Sequence, residues 1–346
     1  MSTDAPATVK RRPTFLVPLL MLIIAGLILW QFGVFEKQPR IALVTSGKTP
    51  YWETVIRGAR DAAERYEVRL TVVESETSAD TQTQLIRDLL RQRYDGIAIS
   101  PVNPNAQSAV LADVALKSTL VTVDSDSPVS RRLCFVGTDN YYTGRMLGEQ
   151  VKRALPDGGE VIVSLGTPDK ENTRHRRQGL IDELLDREYE PERPVDPFDR
   201  PLSAGKYTIL ETLVDNSDPV VCTDLAAQAL EKYPNLKCFV GLLAYSTPAI
   251  LEALKSTEKL GKVKVVGMDA APETLAGIEA GHVEASIMQD QYGFGFHAVR
   301  ILAENARGET VGLPMFQRRT LPCEVITREN VAAVKAQISA MTGGAQ

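Results

Sequence analysis

The sequence predicts an α/β protein of two lobes, each a parallel sheet with helices on both faces, preceded by one apolar N-terminal helix. Three observations predict it. Short apolar runs alternate with amphipathic helical segments from Ile41 onward. That alternation restarts after Cys134. A run from Phe15 to Phe35 contains no charged residue.

The N-terminal run approaches the ~20 apolar residues that span a bilayer. Lys10, Arg11 and Arg12 precede it and predict a cytoplasmic N-terminus of residues 1–14. A cleaved signal competes, because Leu19 to Trp30 is short enough for its apolar core. Gln31 to Phe35 is bulky and offers neither a small-x-small cleavage site nor a lipid-accepting cysteine. The reading taken is an uncleaved signal anchor over 15–35.

The first lobe then unfolds in order. Ile41 to Thr45 reads as a buried strand and Thr54 to Tyr66 as a helix with Val55, Ala59, Ala62 and Ala63 at helical spacing. Leu70 to Val73, Gly96 to Ile99 and Leu120 to Val123 are strands, with helices over Thr81 to Arg93 and Ala106 to Lys117. Continuous apolar strands between amphipathic helices imply parallel pairing with both faces covered. In the second series, Cys134 to Val136, Val161 to Ser164, Tyr207 to Leu213, Cys238 to Leu243, Val263 to Val266 and Val283 to Met288 are strands. Tyr141 to Ala154 and Arg174 to Leu185 are helices. Glu190 to Ser203 carries Pro191, Pro194, Pro197 and Pro201 and reads as a loop insertion. The end of the chain, 334–346, reads as a frayed tail.

Composition bounds the function. The chain has 346 residues, enough for about two domains. A net charge of −5 without a basic block argues against nucleic-acid binding. Four cysteines lack a CxxC pair, so no zinc site is implied; disulfides and buried free thiols both remain open. Three widely spaced histidines and the lack of a Gly-x-Ser-x-Gly elbow give catalysis little support. Ala42 to Thr49 fits a relaxed phosphate-loop pattern, but no glycine precedes Gly47 to cradle phosphate.

Ligands in such sheets bind beyond the carboxyl ends of the strands. Those positions hold Ser46 to Trp52, Asp124 to Asp126, Thr138 to Asn140, Leu243 to Ser246, Asp269 and Gln289. They are rich in carboxylates, amides and aromatics. A polyhydroxylated ligand needs this set, because its hydroxyls pair with carboxylates and amides and its C–H faces stack on rings. Tyr51 and Trp52 are candidate walls; Asp124 and Asp269 are candidate acceptors. For a single Asp after a strand, helix capping is the blander reading. Two of them beside an aromatic pair favour a site.

These residues resemble a family. Ile41 to Trp52 looks like the opening strand and aromatic pair of the ribose-binding branch of type I periplasmic binding proteins. Asp95-Gly-Ile-Ala-Ile-Ser-Pro101, Val121 to Asp124, Val136-Gly-Thr-Asp-Asn140, Val265 to Asp269 and Gly281 to Gln289 follow in the family's order. The resemblance runs from Arg40 to Arg328. It implies two Rossmann-like lobes joined by a three-strand hinge. The expected boundaries are 39–139 with 290–319 for the first lobe and 140–289 with 320–333 for the second. It implies a monosaccharide held in the interlobe cleft by hinge closure and delivered to an ABC importer, with no cofactor. Carried over by position, Tyr51 and Trp52 stack on the sugar, Asp124 and Asp269 accept its hydroxyls, Arg176 donates, Gln289 bridges at the hinge, and Thr49 lies where the family often has Asn. Two departures alter the pattern expected for ribose: Ser125-Asp126 follows Asp124 where the family has Arg, and Leu242-Leu243 replaces Asn-Asp, leaving Tyr245 and Ser246 as the nearest polar groups. The implied protein lies on the extracytoplasmic face. Its partner is a permease or, if the tether persists, a membrane sensor. Repressors with the same core carry a helix-turn-helix where this chain has its apolar segment.

Overall fold

The computed structural model describes residues 16–31, 38–76 and 78–341. It divides into two units, residues 1–38 and 39–346. In the first unit, α1 (Leu16–Gln31) has 16 residues and spans about 24 Å. No helix among the described residues is long and apolar enough to cross a membrane. The expected membrane span over 15–35 is therefore without support among the described residues; Phe15 and residues 32–35 lie outside them.

The second unit begins with β1 (Arg40–Val44), α2 (Pro50–Arg65), β2 (Arg69–Val73), α3 (Ala79–Leu90), β3 (Gly96–Ile99), α4 (Ser108–Lys117), β4 (Thr119–Val123) and β5 (Cys134–Gly137). It continues with α5 (Asn140–Ala154), β6 (Gly159–Ser164), α6 (Glu171–Leu184), β7 (Leu202–Ala204), β8 (Tyr207–Leu213), α7 (Pro219–Lys232), β9 (Cys238–Gly241), α8 (Ser246–Ser256), β10 (Lys264–Met268), α9 (Pro272–Ala280) and β11 (Ala285–Met288). It closes with α10 (Gln291–Ala306), β12 (Arg318–Thr320), β13 (Glu324–Ile326) and α11 (Val331–Met341).

One sheet has the order β12-β5-β4-β3-β1-β2 and the other β13-β11-β10-β9-β6-β8-β7. The first is parallel throughout. The second is parallel except at its two edges, where β13 and β7 run antiparallel. The reason is visible along β1. Ile41 and Leu43 enter the core beneath α2 and α10, while Ala42 and Val44 enter the core beneath α3 and α4. Side chains alternate across a strand, so a strand buried on both faces must be apolar at every position. In the second sheet, Ile162 and Phe239 face one core while Val161, Val163 and Val240 face the other.

The chain passes between the sheets three times: from β5 into α5, from β11 into α10, and from β12 into β13. α10 packs on α2 and the first sheet, and α5 packs on α6 and the second. Both helix pairs approach closely at glycine. A Cβ at Gly295 would lie 1.9 Å from the Val55 carbonyl oxygen, and one at Gly144 would lie 2.1 Å from that of Arg176. The second contact fixes the helix that carries Arg176.

Three expectations differ. α6 starts at Glu171, three residues before Arg174, with Lys170 as its N-cap. The proline-rich stretch is a loop up to Pro201, but Leu202 and Ser203 already belong to β7. Arg177 holds that loop by donating to the carbonyl oxygens of Asp196 (2.8 Å) and Pro197 (2.6 Å). The expected tail instead forms α11, because Val331 and Val334 are buried in the core beside α9; residues 342–346 lie outside the described ones. All four cysteines are free thiols. Cys134 and Cys238 fill the cores as small apolar groups, and burial pushes the Cys222 thiol up to about 12.

Candidate functional site

Asp124 and Asp269 occupy matching places in the two sheets. Each directly follows a central strand, β4 or β10, and each has φ of 62°. Left-handed backbone is costly for most residues and better tolerated by Asp. Each backbone N–H donates across to the next strand, Asp124 to Val136 (3.0 Å) and Asp269 to Ile287 (2.9 Å). The sharp turn presents each carboxylate beyond the strand end, and both are buried.

Asp124 is the centre of a polar ring that crosses from one lobe to the other. Tyr51 Oη donates to its Oδ1 at 2.7 Å. Ser100 Oγ (3.3 Å) and Asn172 Nδ2 (3.2 Å) donate to its Oδ2. Ser46 Oγ lies 3.2 Å from Ser100 Oγ and accepts from Lys170 Nζ at 3.2 Å. Tyr51, Ser46 and Ser100 belong to the first lobe; Lys170 and Asn172 come from the start of α6 in the second. Burial, followed by the Asp124 and Asp269 charges, holds the Tyr51 phenol well above its usual range. Burial pulls the Lys170 ammonium down, against the pull of Asp124.

Asp269 closes a second chain of contacts at the lobe connections. Its carboxylate accepts from Gln289 Nε2 (3.1 Å to each oxygen) and from Gln291 Nε2 (2.7 Å). Gln289 Oε1 accepts from Arg176 Nη2 at 2.5 Å. Arg176 further donates from Nε to Asn140 Oδ1 (2.9 Å) and from Nη1 to the Leu242 carbonyl oxygen (3.0 Å). Burial raises the Asp269 carboxyl to about 6, with Arg176 and the Gln289 contacts opposing it. The Nδ2 of Asn140, the hydroxyl of Ser125 and that of Ser246 are buried without hydrogen-bond partners among the described residues.

The structure thus brings together Tyr51, Asp124, Arg176, Asp269 and Gln289 from the sequence expectation. Trp52 meets Tyr51 edge-to-face at 5.2 Å and is packed in the first core. Ser125 is adjacent and buried. Three other expected residues lie apart from this set of contacts. Thr49 is exposed as the N-cap residue of α2 and makes no side-chain cap bond. Asp126 is fully buried and spent inside its own lobe. It accepts from Thr122 Oγ1 (2.7 Å), Ser127 N (2.7 Å), Arg132 Nε (2.5 Å) and Nη2 (2.7 Å), and Arg318 Nη1 (3.0 Å), which fills its acceptor positions. Tyr245 Oη donates to Asp215 at 2.5 Å, and Asp215 also accepts from Ser164 Oγ and Ser217 N.

Sequence reasoning passed over Lys170, Asn172, Ser100 and Gln291. The strand-end rule could have found Ser100, which directly follows β3 as Asp124 follows β4, whereas Lys170 and Asn172 lie well beyond the end of β6. Among the described residues no cluster of His, Cys, Asp or Glu could hold a metal ion.

Comparison with known proteins bears on the fold. A family model described as a periplasmic binding protein domain matches residues 41–310. The D-allose-binding periplasmic protein of Escherichia coli (strain K12) is 23% identical over 267 residues, covering 74% of this chain and 80% of that protein. An ABC transporter solute binding protein from Burkholderia graminis, solved in complex with D-arabinose, superposes with a TM-score of 0.75 at 25% identity, covering 86% of this chain and 98% of the other. The XylFII-LytSN complex contains a chain with a TM-score of 0.74 at 21% identity, covering 85% and 99%. The family match runs from β1 through α10 and so takes in both sheets and two of the three connections; the chain belongs to the periplasmic binding protein domain family.

Proposed function

We propose that this is an extracytoplasmic solute-binding protein that captures a small, uncharged carbohydrate by lobe closure and delivers it to an ABC-type importer. The observation that carries the reading is the pair of buried carboxylates, Asp124 and Asp269, one beyond a strand of each sheet. Fork-like acceptors of this kind suit vicinal hydroxyls, which donate in pairs. The charge balance supports an uncharged ligand: Lys170 and Arg176 offset Asp124 and Asp269, so the cleft needs no ionic guest. Tyr51 supplies an apolar face, and Asn140 Nδ2 and Ser125 Oγ are donors awaiting acceptors. The D-allose and D-arabinose named for the relatives are the class of ligand this set would take.

The lobes are proposed as about 39–139 with 290–319, and 140–289 with 320–333, although Thr320 still pairs with Gly137 in the first sheet. Closure gains its free energy from contacts absent when the lobes part. A panel of pentoses, hexoses and polyols in a thermal-shift assay is expected to include a stabilising ligand. Asp124→Ala and Asp269→Ala are each expected to lose that shift while remaining folded. A panel without a single hit defeats the carbohydrate reading; normal binding by both variants defeats the cleft.

The N-terminal segment is proposed to direct export, with Lys10 to Arg12 before an apolar run free of charged residues from Phe15 to Phe35. N-terminal sequencing of the exported protein separates the two fates of the segment: a start near Glu36 shows that it is cleaved. A start before Phe15 would show that the segment is retained, and a retained segment favours a membrane sensor as the partner.

A further inference from the structure

Three consecutive residues of the second lobe reach the first. Lys170 meets Ser46 and Asn172 meets Asp124 within the cleft. Between them, Glu171 points elsewhere. Its Oε1 lies 3.7 Å from Arg318 Nη2 on β12 of the first lobe and 3.3 Å from His175 Nδ1 on its own helix. Arg318 is shared, since its Nη1 donates to Asp126 at 3.0 Å. Glu171 is 6% exposed, and neither carboxylate oxygen has a hydrogen-bond partner among the described residues. A buried carboxylate without a hydrogen-bond donor is costly. Arg318 belongs to the other lobe, so parting the lobes would remove that neighbour.

We propose that Glu171 is a positioning residue for lobe closure, which meets Arg318 across the lobe boundary and binds a proton as the lobes shut. The inference rests on the hinge-closure reading above. The groups facing Glu171 are His175 and Arg174 from α6, Arg318 from β12 and Asp126 from the loop after β4. Burial raises its carboxyl above the usual range; His175, Arg318 and Arg174 oppose this and Asp126 adds to it. With the lobes parted, the first turn of α6 meets water and the carboxyl returns toward the ordinary value of about 4.3. The sign follows. At a pH well above the closed-state value, Glu171 is ionised in both states and closure carries the full desolvation cost. As pH falls through the closed-state value, the closed form takes up a proton and is favoured. Below the open-state value both forms are protonated and the gain stops growing. Each pKa unit between the two states is worth about tenfold in the closure equilibrium.

The test measures the distance between nitroxide labels at positions 53 and 220, exposed sites on the two lobes, in the full-length ligand-free protein. The short-distance population is expected to grow between pH 8 and pH 5. Glu171→Gln, a neutral isostere, is expected to hold that population high at pH 8 and to lose much of the pH response. Arg318→Ala is expected to move the response to higher pH, because it removes a cation that opposes protonation. Asp269 titrates in the same direction, but its partners are Gln289 and Gln291 rather than Arg318. The part of the response lost in Glu171→Gln therefore belongs to Glu171. An undiminished response in Glu171→Gln, or none in the native protein, overturns the proposal and leaves hinge closure standing. One fixed distance at every pH, with and without each sugar of the panel, defeats hinge closure itself.

Discussion

Replacing Arg176 by Ala is expected to abolish ligand binding and to destabilise the second lobe by about 3–5 kcal/mol, the usual cost of removing one partner from a buried charged network. The side chain is 1% exposed and binds three groups from three different segments. Asn140 lies at the first connection between the lobes and Gln289 at the second, so the guanidinium ties the hinge to α6. Its loss leaves Gln289 Oε1, Asn140 Oδ1 and the Leu242 carbonyl oxygen without a donor. It also removes the nearby cation that keeps the Asp269 carboxyl from rising further. The variant should melt earlier than the native protein and show no shift with any sugar. Arg176→Lys should recover part of the stability but little of the binding, because an ammonium cannot reproduce the planar fork. Native melting and native binding in Arg176→Ala would contradict the geometry.

Asp126→Ala is expected to be comparably destabilising, by about 3–5 kcal/mol, but for a reason unrelated to ligand. Asp126 is fully buried between Arg132 and Arg318. Without it, two guanidinium groups face each other, and Arg132 alone continues to hold the loop before β12 through the Gln317 carbonyl oxygen (3.2 Å). A urea titration should show the midpoint moved well down. At a denaturant concentration where both proteins are folded, the affinity for a sugar found in the panel should change far less than in Asp124→Ala. The reverse pattern, native stability with lost binding, would return Asp126 to the cleft.

These two residues show what sequence reasoning could and could not reach. Asp124 and Asp126 are two positions apart in one strand-end loop and look alike in sequence. Asp124 turns into the cleft because its backbone is left-handed at the strand end. Asp126 turns back because Arg132 and Arg318 lie beneath it, and Arg318 is 192 residues away in the chain. No local pattern contains that contact. Lys170 was missed because α6 was expected to start at Arg174; the extra turn at Glu171 brings Lys170 and Asn172 to the lobe boundary. Thr49 and Tyr245 stood at plausible strand ends, but one lies exposed before α2 without a side-chain cap bond and the other is paired with Asp215.

The sequence by itself determined the two sheets and the strand ends that bear Asp124, Asp269 and Gln289, while Arg176 was implied by the family resemblance alone. It could do so because a strand buried on both faces is apolar throughout, and such runs are local and need no partner to be read. Only the tertiary structure decided which polar side chains meet. The ring through Tyr51, Ser46, Ser100, Asp124, Lys170 and Asn172, and the contact of Glu171 with Arg318, join segments far apart in the chain. Hydrogen bonds and ion pairs act over a few ångströms of space, and only the folded chain sets those distances.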